Sequence, residues 1–148
     1  MRPQYSLAEL LPHRKPMMLI DEVDDFDATN RSLTASVTIR EEWKGNVVAI
    51  EYMAQTAAAL VGCFDRECND VRPARPGFLL GTRKLTLKVP EFEVGARYTI
   101  HCVNEFTDLS VASFECEMFD SAGVSVAKAR LNAFRPEDPV AFAQNGRK

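Results

Sequence analysis

One segment constrains the fold more than any other: VVAIEYMAQTAAALVGCFDR, residues 47–66, where apolar side chains occupy nearly every angle of a helix. A helix that is apolar all round has to be buried. Ala54, Ala57, Ala58 and Ala59 keep it thin, so that the backbone of a sheet can approach it closely. The expectation is a long central helix over about 47–66, wrapped by strands. Glu51, Gln55 and Thr56 interrupt the run, and the spacing of four between Glu51 and Gln55 puts those two one turn apart on the same helix face. An unpaired charge in such surroundings is costly, and no other acid precedes Asp65 in the segment. Glu51 is therefore the first candidate for chemistry, against the alternative of a carboxylate buried for structural reasons.

The rest of the pattern supplies the strands. Ser6 to Leu11 reads as a short helix with Ser6 as N-cap and Glu9 in capping-box position, ended by Pro12 and Pro16. Met18 to Phe26 reads as extended. Leu33, Ala35, Val37 and Ile39 alternate with Thr34, Ser36 and Thr38, and Asp27-Ala28-Thr29-Asn30 supplies the turn of a hairpin. After an Arg- and Pro-rich loop at 69–76 come four more strand-like segments: one around Leu85, Leu87 and Val89, then Tyr98 to Phe106, Ser113 to Met118, and Val124 to Phe134. The fold class is α+β: a hairpin, one buried helix and an antiparallel meander. A chain of 148 residues, 46% of them hydrophobic, suits one domain, with 1–16 as an N-terminal segment and 136–148 as a tail.

Charge and cysteine usage narrow the function. A net charge of −3 gives no field of the kind nucleic acid needs. Arg72, Arg75, Arg83, Lys84 and Lys88 nevertheless fall close together, as a solvated face or as a patch for an acidic partner. Cys63, Cys68, Cys102 and Cys116 have no CxxC spacing, and His13 and His101 are the only histidines, so free thiols are expected and no metal site. The N-terminus lacks a long apolar signal region and the apolar run at 47–64 is broken by polar residues. A soluble, cytoplasmic protein without a membrane span is expected.

Three stretches in order, LLPHRKPMMLIDEV, IEYMAQTAA and FLLGTRKLTLKVPEFEVGARYTI, resemble the β-hydroxyacyl-acyl carrier protein dehydratases of fatty-acid synthesis. The chain is most similar to their smaller branch found with aryl-polyene-type lipid pathways. The resemblance spans most of residues 7–134. It implies the hotdog fold, a curved antiparallel sheet around one long helix. It also implies a dimer, homo or hetero, with sites between protomers, 3-hydroxyacyl thioester substrates carried by acyl carrier protein, and no cofactor. One motif is missing: the family's Gly-His-Phe-Pro, whose histidine is the catalytic base, is replaced by EEWKGNVVAI, without histidine or proline.

Dehydration of a 3-hydroxyacyl thioester requires removal of an α-proton, polarisation of the carbonyl and protonation of the departing hydroxyl. Glu51 suits acid or base work, because apolar surroundings favour the protonated carboxyl. Backbone N–H groups at Gly45, Asn46 and Val47, at the positive end of the helix, suit the thioester oxygen. Gln55 is placed to orient the carboxylate or the substrate hydroxyl. Trp43 and Tyr52 are candidates to line an acyl chamber, and His13 to stand in for the absent base. His101, inside a strand pattern, reads as a surface or packing residue. Arg72, Arg75, Arg83 and Lys84 are the expected contacts of the carrier protein's acidic helix. Besides a dehydratase, the residues admit a thioesterase, with the carboxylate activating water, and a non-catalytic subunit that binds acyl chains or pairs with an active dehydratase.

Overall fold

Alternating side chains build the sheet, and the computed structural model describes it over residues 5–11, 17–68, 78–108 and 111–134. The elements are α1 (Leu7–Leu10), β1 (Glu22–Asp27), β2 (Ser32–Thr38), 3-10 turns at Glu41–Trp43 and Asn46–Val48, α2 (Ala49–Glu67), β3 (Phe78–Leu87), β4 (Arg97–Asp108), β5 (Val111–Phe119) and β6 (Ser125–Phe134). All six strands form one antiparallel sheet in the order β1-β2-β4-β5-β6-β3. On β4, Tyr98, Ile100, Cys102 and Asn104 are buried while the residues between them are more open. Phe114, Cys116 and Met118 repeat this on β5. The period of two thus turns one face toward α2, which lies mainly against β4, β2 and β5. This is the hotdog arrangement of a sheet around one helix.

Two expectations need correction. The meander holds for β4, β5 and β6, but β3 sits outside β6 and β4 pairs with β2. Alternation identifies a strand without naming its neighbour; the segment between β3 and β4 carries the chain across the sheet. The α-helix also begins at Ala49 rather than 47, because Asn46–Val48 tighten into a 3-10 turn.

The all-round apolarity of α2 is explained by two layers of cover. Tyr52, Met53, Thr56, Leu60 and Cys63 are buried, and so are Gln55, Ala59 and Gly62, toward the N-terminal segment. By length and composition Asn46–Glu67 would suffice to cross a membrane, but 56% of its apolar window is buried inside the fold. The thiols are free, with Cys63, Cys102 and Cys116 buried. Cys102 and Cys116 are direct cross-strand neighbours, their sulfurs 2.8 Å apart.

The short helix α1 has the expected capping box: the Ser6 side chain accepts from the Glu9 N–H, and the Glu9 carboxylate accepts from the Ser6 N–H. It lies on α2 at Gly62, where a Cβ would stand 2.5 Å from the Leu10 carbonyl oxygen. Arg66 Nη2 donates to the Glu9 carbonyl at 2.7 Å. Gly62→Ala gains about 1 kcal/mol of helix propensity but must displace backbone. The expected net result is a loss of about 1–2 kcal/mol in urea unfolding; an unchanged or higher midpoint would show that α1 yields without cost.

Candidate active site

The approach to α2 is held by backbone. Trp43 N–H donates to the Arg40 carbonyl, Phe92 N–H to the Lys44 carbonyl at 2.7 Å, and Gly45 bridges Glu91. Asn46 Nδ2 donates to the Val89 carbonyl at 2.9 Å. Residues 44–46 are thereby stapled to the segment that follows β3. No side chain caps the 3-10 turn at Asn46 or α2 itself. The positive end of the helix is thus left without a side-chain acceptor. Gly45 has open space where a Cβ would be, and Val47 is 66% exposed.

Glu51 stands in the first turn of α2, where the helix dipole favours a carboxylate. It is half-buried, less deeply placed than an all-apolar helix suggests. Gln55, one turn on, is fully buried and its amide bonds are specific. Oε1 accepts from Leu19 N–H at 2.8 Å, and Nε2 donates to the Met17 carbonyl at 2.7 Å and to Glu51 Oε1 at 3.0 Å. Reversing the amide would set donor against donor at Leu19, so the network fixes its orientation. One side chain therefore joins the N-terminal segment to α2 and holds the carboxylate.

Tyr52 does not line an open chamber. It is 1% exposed, packs edge-on against Phe92 with centroids 6.0 Å apart, and donates its hydroxyl to the Trp43 carbonyl at 3.0 Å. Burial pushes its phenol from 10.0 up to about 12. The folded state resists ionisation, so this stabilisation is intact below pH 10 and declines as pH rises toward about 12. Tyr52→Phe is expected to flatten that alkaline decline in denaturation midpoint; an unchanged slope would contradict it. Trp43 is half-buried, and its shielded indole Nε1 has no hydrogen-bond partner. Such an orphan donor costs about 1–3 kcal/mol until something supplies an acceptor.

His101 is on β4, on the face of the sheet turned away from α2, with Nδ1 2.9 Å from Thr34 Oγ1. The sheet separates it from Glu51. His13, Arg72 and Arg75 lie outside the described residues. Arg83 and Lys84 are exposed on β3. Sequence reasoning missed their neighbours: Arg83 pairs across the strands with Arg130, and Thr86 with Lys128. Nothing local signals that extension, since it arises only from β3 lying beside β6. It also missed that Gln55 would spend its amide on backbone 36 and 38 residues away. Among the described residues no three His, Cys, Asp or Glu side chains are placed to hold a metal ion.

A family model described as ApeP-like, ApeP dehydratase, matches residues 5–144. The 3-hydroxyacyl-acyl-carrier-protein dehydratase FabZ of Chlamydia pneumoniae is 38% identical over 91 residues, covering 53% of this chain and 58% of that protein. The FabZ of Methylobacterium sp. is 33% identical over 93 residues, with 55% of each covered. The chain thus spans little more than half the length of these curated relatives. Among solved structures, the dehydratase heterocomplex ApeI:P from Xenorhabdus doucetiae has a chain matching at TM-score 0.87 and 26% identity, over 99% of this chain and 100% of that one. A hypothetical thioesterase with coenzyme A from Streptococcus pneumoniae matches at TM-score 0.59 and 10% identity, over 78% and 84%. At that identity it shares the fold alone.

Proposed function

Because this chain belongs to the ApeP-like dehydratase family, we propose that it serves a hydro-lyase acting on 3-hydroxyacyl thioesters of acyl carrier protein, in fatty-acid, aryl-polyene or polyketide-like lipid synthesis. The observation that carries this reading is the Glu51–Gln55 pair at the uncapped start of α2. A carboxylate with one oxygen fixed at 3.0 Å by an amide sits in the first turn of a helix that no side chain caps. In this reading Glu51 delivers a proton to the departing hydroxyl, while the N–H groups near Gly45, Asn46 and Val47 hold the thioester oxygen. A histidine takes the α-proton, and water leaves as the C–O bond breaks. Gln55 is a positioning residue.

The histidine comes either from His13 or from a second hotdog subunit. His101, the one histidine among the described residues, lies across the sheet from Glu51, which leaves these two sources. The solved ApeI:P relative is itself a heterocomplex. The acidic carrier protein is steered by Arg72, Arg75, Arg83 and Lys84, an attraction that weakens with salt. The test is hydration of a crotonyl thioester, read as loss of enoyl absorbance, by the chain alone and with its partner subunit. Hydration that survives His13→Ala would place the base on the partner, and no hydration in either form would overturn the proposal.

Trp43 takes part as a donor rather than as apolar lining. Trp43→Phe removes the N–H and shrinks the indole to a phenyl ring, so KM is expected to rise about tenfold with kcat nearly unchanged. Unchanged KM would return Trp43 to a packing role. Trp43 is the only tryptophan, so its fluorescence reports occupancy directly.

A further inference from the structure

Two nucleophilic side chains that the proposed reaction does not use face each other in the middle of the sheet. Cys102 on β4 is the direct cross-strand partner of Cys116 on β5, and the two are 0% and 1% exposed. Leu33 and Ala129 continue the row on either side. Helix α2 covers it: Cys102 Sγ lies 3.6 Å from the Met53 carbonyl oxygen and 2.8 Å from Cys116 Sγ. Unbonded carbon atoms pack best at about 3.5–4.0 Å, and sulfur is larger, so the two thiols stand closer than side-chain packing alone places them. The backbone suits a bond between them. Directly opposed residues of an antiparallel pair have Cα atoms about 4.5–5.5 Å apart, inside the about 4.4–6.8 Å that a disulfide spans. The register is unbroken from Thr99↔Phe119 to Asn104↔Phe114, so neither strand has to slip.

We propose that Cys102 and Cys116 form a modification site, at which hydrogen peroxide converts the dithiol to an intrachain disulfide that ties β4 to β5 beneath α2. One thiolate sulfur attacks a peroxide oxygen; the S–O bond forms as the O–O bond breaks, and the departing hydroxide takes a proton to become water. The second sulfur then attacks the sulfenic sulfur. The S–S bond forms, the S–O bond breaks, and a second water leaves. Two electrons pass from the sulfurs to the peroxide. The opposed thiol stops oxidation at this point, whereas a sulfenic acid without a neighbour goes on to the sulfinic acid. The sheet also sets the pace. The thiolate is the attacking species, and burial, then the hydrogen bond with Cys116, holds the Cys102 thiol well above its ordinary range. Reaction therefore waits on opening of the β4–β5 pair. Cys68, exposed at the end of α2, meets peroxide without any opening.

The test uses the full chain with Cys63→Ala and Cys68→Ser, which leaves only the opposed pair. It is treated with hydrogen peroxide, with and without urea below the unfolding midpoint, then denatured and alkylated. The expected product is lighter by two hydrogens, takes up no alkyl group, yields on digestion a peptide joining the two strands, and regains both thiols with dithiothreitol. It should form at least about tenfold faster in the urea. Its own midpoint should lie about 1–2 M urea higher, because the bridge closes a loop whose ends are 14 residues apart. With Cys102→Ser added, the remaining Cys116 should gain oxygen instead. Two alkylated thiols after peroxide in urea, gain of oxygen in place of the bridge, or a bridged chain no harder to unfold would overturn the proposal. Should the doubly replaced chain fail to fold, digestion of the unaltered chain decides: a joined Cys102–Cys116 peptide supports the site, and its absence contradicts it.

Discussion

Glu51→Gln is expected to lower the turnover of the active assembly by about 10²–10⁴-fold while leaving KM and melting temperature close to those of the parent. The substitution preserves volume and an oxygen that can accept from Gln55 Nε2, 3.0 Å away, so the network at the start of α2 survives. What it removes is the group that exchanges a proton. A carboxylate kept only for structure would show the opposite pattern, with lost stability and little lost turnover. Kinetics and melting on the same preparation therefore separate the two roles, and turnover undiminished in Glu51→Gln would remove Glu51 from the chemistry.

The second large effect is on stability. Gln55→Leu would strip the Leu19 N–H and the Met17 carbonyl of their partners, and the first of these bonds is buried. An unsatisfied buried donor costs about 1–3 kcal/mol. With the carbonyl's share, Gln55→Leu should lower unfolding free energy by about 2–4 kcal/mol. Turnover should fall too, since Glu51 loses its fixed oxygen. Amide exchange at Leu19 is expected to speed up more than at positions in β4 or β5, because the segment at 17–19 detaches first. Equal protection at Leu19 in both proteins would mean that the segment is held by something other than Gln55.

Much of this was legible in the chain. The apolar run marks one buried helix, strict alternation marks the strands at 33–39 and 113–118, and the strand-like segments at 18–26, 98–106 and 124–134 overlap β1, β4 and β6. The strand over Phe78–Leu87 was seen only around its end, at Leu85 and Leu87. The spacing of Glu51 and Gln55 put them on one face, and they are hydrogen-bonded there. Long-range pairing was illegible. Nothing around Leu85 announces that β3 lies beside β6, because strand order is decided by where a connection crosses. Tyr52 reads like a chamber residue in isolation, and only the position of Phe92 and the Trp43 carbonyl turns it into core. Gln55 likewise reads as a residue that orients the carboxylate or the substrate until its backbone partners, more than thirty residues away, are in place.

The measurement that bears most directly on the proposed reaction is the mass of a 3-hydroxybutyryl-carrier protein after incubation with the chain and its partner subunit. The account predicts an acyl carrier lighter by one water, reaching an equilibrium mixture with the starting thioester, and no such product when Glu51→Gln replaces the parent. A carrier that has lost its whole acyl group to leave a free thiol would contradict it and make the protein a thioesterase.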